Sequence, residues 1–490
     1  MTVAVTFVQA ALPIAFLAIV IVYGLVLRPL AFGQPSLPLE VVFPLASAFA
    51  IAHLSRLGHS WIDIQTSIVQ RMGRGIPGFF ILAAIGMLIG SWMVAGIIPM
   101  LVYWGIRLIA PEWLYLLAFV VPVVFSTLTG TSWGSAGTVG VVIMGIALSV
   151  GADPAITAGA VVGGAYFGDK LSPLSDTTNM AALGADVDLF DHVRAMLWTT
   201  LPSALIAIVV YTTVGLLHPP TGSGTTAESA AFLAGLDSMF NFTPLLLIPP
   251  AVVLYGSLRQ MPTIPVLGTG ILLAAVLALL TQPFTLADVG ASITTGFAST
   301  MAPWAAGVPE GVVSLVSRGG LYSMREAIFV AFLVFFFIGV IDRIDAMSIV
   351  VTRLFRFART ATSTVLSSLG AAAVTNAMTS NQYATSFIVG DAFRKKYDEH
   401  GVPRRILSRS IEDYGTMLEP IVPWHPSALF MVATLGVPVS AYWQWEVLTL
   451  ANLLIAPLFA ILGLGFTRAV SASPTRDAHT PPPTPDPPGR

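Results

Sequence analysis

The chain has 490 residues, of which 55% are hydrophobic and only 10% charged, with a formal net charge of −2 and no cysteine. Soluble domains carry about 25% charged residues, so a soluble globular enzyme, a disordered chain and a nucleic-acid binder with a basic surface are excluded. The absence of cysteine removes thiolate catalysis, disulfides and Cys-ligated metals, and an all-α polytopic membrane protein remains.

A helical span needs about 20 apolar residues to cross about 30 Å of hydrocarbon. In chain order, low-charge runs predict spans at 8–27, 39–54, 77–104, 153–186, 195–217, 243–258, 263–282, 324–341, 409–436 and 443–466. The first lacks a basic start and is longer than the about 7–15 residues of a signal-peptide core, so it is expected to stay in the membrane. Two more apolar stretches, 113–149 and 361–393, are treated separately below. The Pro-rich end, 467–490, reads as a disordered cytoplasmic tail.

Lys and Arg positions set the orientation. Arg394, Lys395, Lys396, Arg404, Arg405 and Arg409 crowd 394–409, four arginines lie in 343–359, and Arg56, Arg71 and Arg74 lie in 56–74. These segments are expected in the cytoplasm. The loop 218–242 has no Lys or Arg and is expected outside as a linker. Both termini then lie in the cytoplasm, with Arg318 and Arg325 outside against the trend.

Three weak self-matches share nearly one offset. Ser67–Gly73 resembles Ser314–Gly320, Thr127–Ser132 resembles Thr375–Ser380, and Gly168–Pro173 resembles Gly415–Pro420, at offsets of 247 or 248 residues. This divides the chain into repeats at 1–217 and 243–466 with five spans each, and an odd number forces the second to enter the membrane inverted. Inverted repeats with a site at mid-membrane are a recurring plan of secondary transporters. The stretch 361–393 starts and ends on the cytoplasmic side, and helices of about 15 residues would each rise only about 22 Å. A re-entrant hairpin is predicted there, with 113–149 as its counterpart from outside. Irregular backbone at such depth must be buried or line a cavity.

Polar residues inside these segments are the candidate site. Asp169, Ser172, Asp176, Thr177 and Asn179 lie in the predicted span 153–186, which Gly168 and Pro173 should break. Hard oxygens there suit a small alkali cation, and ionisable groups at bilayer depth cost about 2.5–3.5 kcal/mol on insertion scales. The alternative is helix capping, or a simple Asp169–Lys170 pair. The counterpart break in 409–436 offers Glu419, which the repeat offset aligns with Ser172, and Asp413, whose other role would be to balance Arg409. His425 is either a packing histidine or a pH sensor. Thr131 and Ser132 form one hairpin tip, and Thr379, Ser380 and Asn381 the other. The run Gly130–Gly134 matches the G-x-S-x-G elbow of serine hydrolases, but that motif needs a soluble α/β sheet. No ATP-binding or dinucleotide fingerprint occurs, and no enzymatic activity or cofactor is expected.

At these residues the sequence resembles the NhaC family of sodium/proton antiporters. The resemblance rests on GTSWGSAGTVG (130–140) and GAYFGDKLSPLSDTTNMA (164–181), with SLVSRGGLYSM (314–324), IEDYGT (411–416) and PIVPW (420–424) in the second half. It implies exchange of Na⁺ for H⁺ at the cytoplasmic membrane by an elevator-type fold. In this scheme Asp169 and Asp176 bind the ions competitively, Thr131, Ser132 and Asn179 add neutral ligands, and Glu419 contributes from the second half. Some relatives couple Na⁺ or H⁺ to malate, lactate or an amino acid, which is the alternative here. The chain departs from the family pattern at Leu418-Glu419 and at His425-Pro426-Ser427, positions that bear on substrate choice. The expected partners are the bilayer, Na⁺ and H⁺, an organic acid or amino acid in the alternative, and no nucleic acid. A homodimer is the one assembly considered.

Overall fold

The computed structural model describes residues 5–220, 226–305, 307–356 and 358–464, so the predicted tail falls outside the described residues. Within them every regular element is a helix. Eight helices are long and apolar enough to cross a membrane, and ten if each of two sharply bent pairs counts as one span. The pairs are Ala230–Met239 with Pro244–Leu258, bent by 92°, and Pro426–Leu435 with Val439–Trp445, bent by 88°.

Several elements differ from the sequence expectation. The predicted span 77–104 is the latter part of a 34-residue helix, Trp61–Val94, followed by Ile97–Leu108. Ser60 and Asp63 form a reciprocal capping box that starts the helix in polar sequence. Gly96, at φ 82°, ends the run. The stretch 218–242 carries the helix Thr226–Met239, whose Phe232, Leu236 and Met239 are buried.

The two special stretches also differ from expectation. In the second, Ala361–Thr379 and Gln382–Glu399 pack on each other and have 19 and 18 residues, longer than the arms predicted. In the first, Leu114–Thr129 packs chiefly on Pro154–Leu171 rather than on its own returning arm. Small residues allow that close approach. A Cβ at Gly164 would lie 2.2 Å from the Phe119 carbonyl oxygen, and one at Gly168 would lie 2.1 Å from the Thr127 nitrogen.

The element boundaries recur with a spacing of 250 residues. Helices end at Thr129 and Thr379, and left-handed residues follow at Gly130 (φ 70°) and Ser380 (φ 47°). Thr131 and Asn381 then cap new helices, each accepting from the N–H three residues on. Further pairs at this spacing are the helix starts Pro154 and Arg404, the helix starts Asp176 and Pro426, and the left-handed caps Asp186 and Gly436. Backbone reversals fix register more firmly than matches among abundant Ser, Gly and Leu. These boundaries lie 250 residues apart where the sequence matches gave 247 or 248, and the 250-residue spacing pairs Glu419 with Asp169 where the sequence offset paired it with Ser172.

Candidate ion-binding site

Asp169 lies on the last turn of Pro154–Leu171 and is buried. One turn earlier, Ser126 of the neighbouring helix Leu114–Thr129 donates its hydroxyl to the Gly164 carbonyl at 3.0 Å and accepts the Gly168 N–H at 3.1 Å. After Leu171 the backbone unwinds through 172–175 and restarts as Asp176–Ala185. Across this break the Ser132 hydroxyl donates to Asp169 Oδ2 at 2.6 Å, and the Ser175 hydroxyl donates to Oδ1 at 2.7 Å.

Glu419 occupies the corresponding break in the second half, on the short helical stretch Thr416–Ile421 between Arg404–Tyr414 and Pro426–Leu435. It too is buried. Its Oε2 accepts from the Ser427 hydroxyl at 2.8 Å and the Tyr166 hydroxyl at 3.3 Å, and its Oε1 accepts from Asn376 Nδ2 at 3.3 Å. Two adjacent residues of the short helix Ser132–Ser135 connect to the two acids, one directly and one through Ser427. Ser132 bonds Asp169 directly, while Trp133 Nε1 donates to Ser427 Oγ at 3.2 Å and its ring stacks on Phe430 at 4.6 Å.

Both acids face one cavity of about 750 Å³, which Asp176, Thr131, Ser132, Thr177, Ser380, Asn381 and His425 also line. Asp176, exposed at the start of its helix, accepts a hydrogen bond from the Tyr383 hydroxyl. The Ser380 hydroxyl is buried without a partner. His425 Nδ1 accepts the Ser427 N–H at 3.1 Å, which places the ring proton on Nε2, 3.2 Å from Asn376 Oδ1. His425 thus joins the helix cap to the amide that holds Glu419.

Four predicted residues lie elsewhere. Asn179 donates to the Pro173 and Ser175 carbonyls at 3.0 and 2.6 Å, bracing the unwound stretch. Ser172 is buried and accepts the Leu174 N–H at 3.3 Å. Thr379 presents its carbonyl to Arg71 Nη2 at 2.7 Å. Asp413 forms a buried cluster away from the cavity, with Lys170 Nζ at 2.5 Å and the Thr199 hydroxyl at 2.9 Å on the same oxygen. Lys170 also donates to Asn452 Oδ1 at 2.9 Å. The Asp169–Lys170 pair considered from sequence is therefore replaced by Lys170–Asp413, a contact between the two halves.

Tyr166, Ser175, Tyr383 and Ser427 hold the acids but were not selected from sequence. Tyr166 carried one signal, since it lies three residues before Asp169 on the same helix. Among the described residues no three His, Asp or Glu side chains converge as a metal cluster. A cation here would be held by one or two carboxylates and neutral oxygens.

A multi-span helical protein with acids at broken helices around one cavity has the architecture of the secondary ion transporters. The chain is a member of the Na⁺/H⁺ antiporter family, whose sequence profile matches residues 164–464. It is 37% identical to an uncharacterized Na(+)/H(+) antiporter of Haemophilus influenzae, over 91% of this chain and 96% of that one. It is 35% identical to the Na(+)/H(+) antiporter NhaC of Alkalihalophilus pseudofirmus, over 90% and 93%. It is 31% identical to the malate-2H(+)/Na(+)-lactate antiporter of Bacillus subtilis, over 91% and 94%.

Proposed function

We propose that the protein exchanges Na⁺ for H⁺ across the cell membrane, with both ions competing for the carboxylates of one cavity. The observation that carries this reading is that Asp169 and Glu419, 250 residues apart at corresponding helix breaks, face the same cavity. An acid that must release its proton to accept Na⁺ couples the two fluxes without any other device. Ser132, Ser175, Thr131, Thr177, Asn381 and the unpartnered Ser380 hydroxyl supply hard neutral oxygens, which suit an alkali cation. Asp176, at the cavity mouth, draws cations toward the site. The 250-residue recurrence supports an inverted repeat, with the two broken segments as parts of one moving unit and both termini in the cytoplasm.

The test is a sodium gradient imposed on proteoliposomes of the purified protein. Proton movement opposite to Na⁺, without any organic solute, is the expected result. A second reading, Na⁺-coupled transport of a small carboxylate, is favoured by one observation: the cavity is far larger than a bare Na⁺, and Arg74 lines it. A strict requirement for an added carboxylate would select that reading instead.

A further inference from the structure

We propose that Glu446 is a second proton-binding carboxyl, placed in series with Glu419 and supplying it with protons from the aqueous face beyond Trp443–Trp445. This rests on the exchange function proposed above. Glu446 is fully buried, yet among the described residues neither carboxyl oxygen has a hydrogen-bond partner. Thr449, one turn into the following helix, presents its N–H and hydroxyl toward the carboxyl without closing a cap. Its hydroxyl is committed to the Met417 carbonyl at 3.0 Å. Among the described residues no Lys, Arg or His pairs with the group. A buried carboxyl without a counter-charge carries its proton.

The surroundings connect this acid to the site. Gly163 lies against the carboxyl, since a Cβ there would be in ordinary van der Waals contact with Oε1 at 3.5 Å. Gly163 lies six residues before Asp169, about 9 Å along the helix. Between them Tyr166 turns its hydroxyl to Glu419 Oε2. Tyr442, whose charge environment includes Glu446, donates its hydroxyl to the Pro420 carbonyl, next to Glu419. Tyr211 clamps the backbone on either side of Glu446, donating to the Trp445 carbonyl at 2.6 Å and accepting the Val447 N–H at 3.3 Å. Tyr211 and Tyr442 are the titratable groups whose charge environment includes Glu446, and Tyr166 lies one turn beyond Gly163 on the way to Glu419. Trp443 and Gln444, just before it, are exposed. In each cycle the Glu446 O–H proton passes to the Glu419 carboxylate, and the Glu446 carboxylate so formed takes one proton from water, so charge and protons balance.

The experiment compares wild type with Glu446→Gln and Glu446→Asp in proteoliposomes, measuring proton-driven Na⁺ flux across pH and Na⁺/Na⁺ self-exchange, which moves no proton. The proposal expects E446Q to lose about tenfold or more of the proton-driven flux, to keep self-exchange within about twofold, and to regain coupling as E446D. Proton-driven flux and pH profile unchanged in E446Q would overturn it, as would equal loss of both fluxes. Because such loss can also reflect misfolding, infrared difference spectra between acid and alkaline pH give a second reading on purified protein. A carboxylic-acid band present in wild type and missing in E446Q supports the proposal, and an identical band in both overturns it. Wild type without any proton-driven Na⁺ flux would instead contradict the exchange function itself.

Discussion

Ser132 gives Asp169 one of its two hydroxyl donors, at 2.6 Å. A hydrogen bond to a charged group contributes about 1.5–3 kcal/mol, so Ser132→Ala should raise the Na⁺ KM about tenfold or more while the protein stays folded, as read by flux assays and size exclusion. Lys170 and Asp413 are each fully buried. Asp413 also faces the buried Arg409, 3.7 Å from its Oδ2, so Lys170→Ala breaks the shorter of two buried ion pairs and should destabilise by about 3 kcal/mol, seen as a fall in Tm of the purified protein. The sequence marked Asp169, Glu419 and Ser132 because polar groups stand out in apolar runs. It could not show Lys170 turning away from its neighbour, since the acid that claims it is 243 residues further on.

Between elements, helices pack closely where Leu114–Thr129 crosses Pro154–Leu171. A methyl group at Gly168 would meet the Ser126 hydroxyl and the Thr127 nitrogen, both at 2.1 Å. These are backbone and hydrogen-bonded atoms that cannot give way. Gly168→Ala should therefore abolish transport even where protein accumulates, checked by flux per molecule in the membrane fraction.

At the opposite end, Arg404 clasps Asp398 and Asp186, at 2.7 and 2.5 Å. The hydrogen-bonded Arg404 guanidinium holds the Asp398 carboxyl below the usual carboxylate range. That stabilisation is present above an unfolded pKa near 3.9 and is lost as pH falls through the lower folded value. The clasp is exposed, so Arg404→Ala should cost under about 1 kcal/mol, with less effect at high salt. The broken helix 153–186 was legible from Gly168 and Pro173. The start of Trp61–Val94 was hidden because a capping box, not hydrophobicity, begins it.

For the molecule as a whole, the 250-residue recurrence of helix ends and left-handed residues joins the two carboxylates in one scheme. Weak identities in the sequence pointed to a repeat offset of 247 or 248 residues, two or three short of the 250-residue spacing of the helix boundaries, and so did not pair Asp169 with Glu419. The proposed orientation is open to a clean check, because the chain has no cysteine. In right-side-out vesicles an impermeant thiol reagent should label Asp237→Cys and leave Lys395→Cys unlabelled until the membrane is opened. The reverse pattern would contradict the proposed topology.

The competition of Na⁺ and H⁺ for the cavity acids is tested most directly by equilibrium binding of radioactive sodium to the purified protein across pH. If the two ions share the carboxylates, the Na⁺ Kd should rise about tenfold per pH unit on the acid side, and Asp169→Asn should abolish saturable binding. A Na⁺ Kd that stays constant with pH, or tight binding retained by Asp169→Asn, would contradict the account.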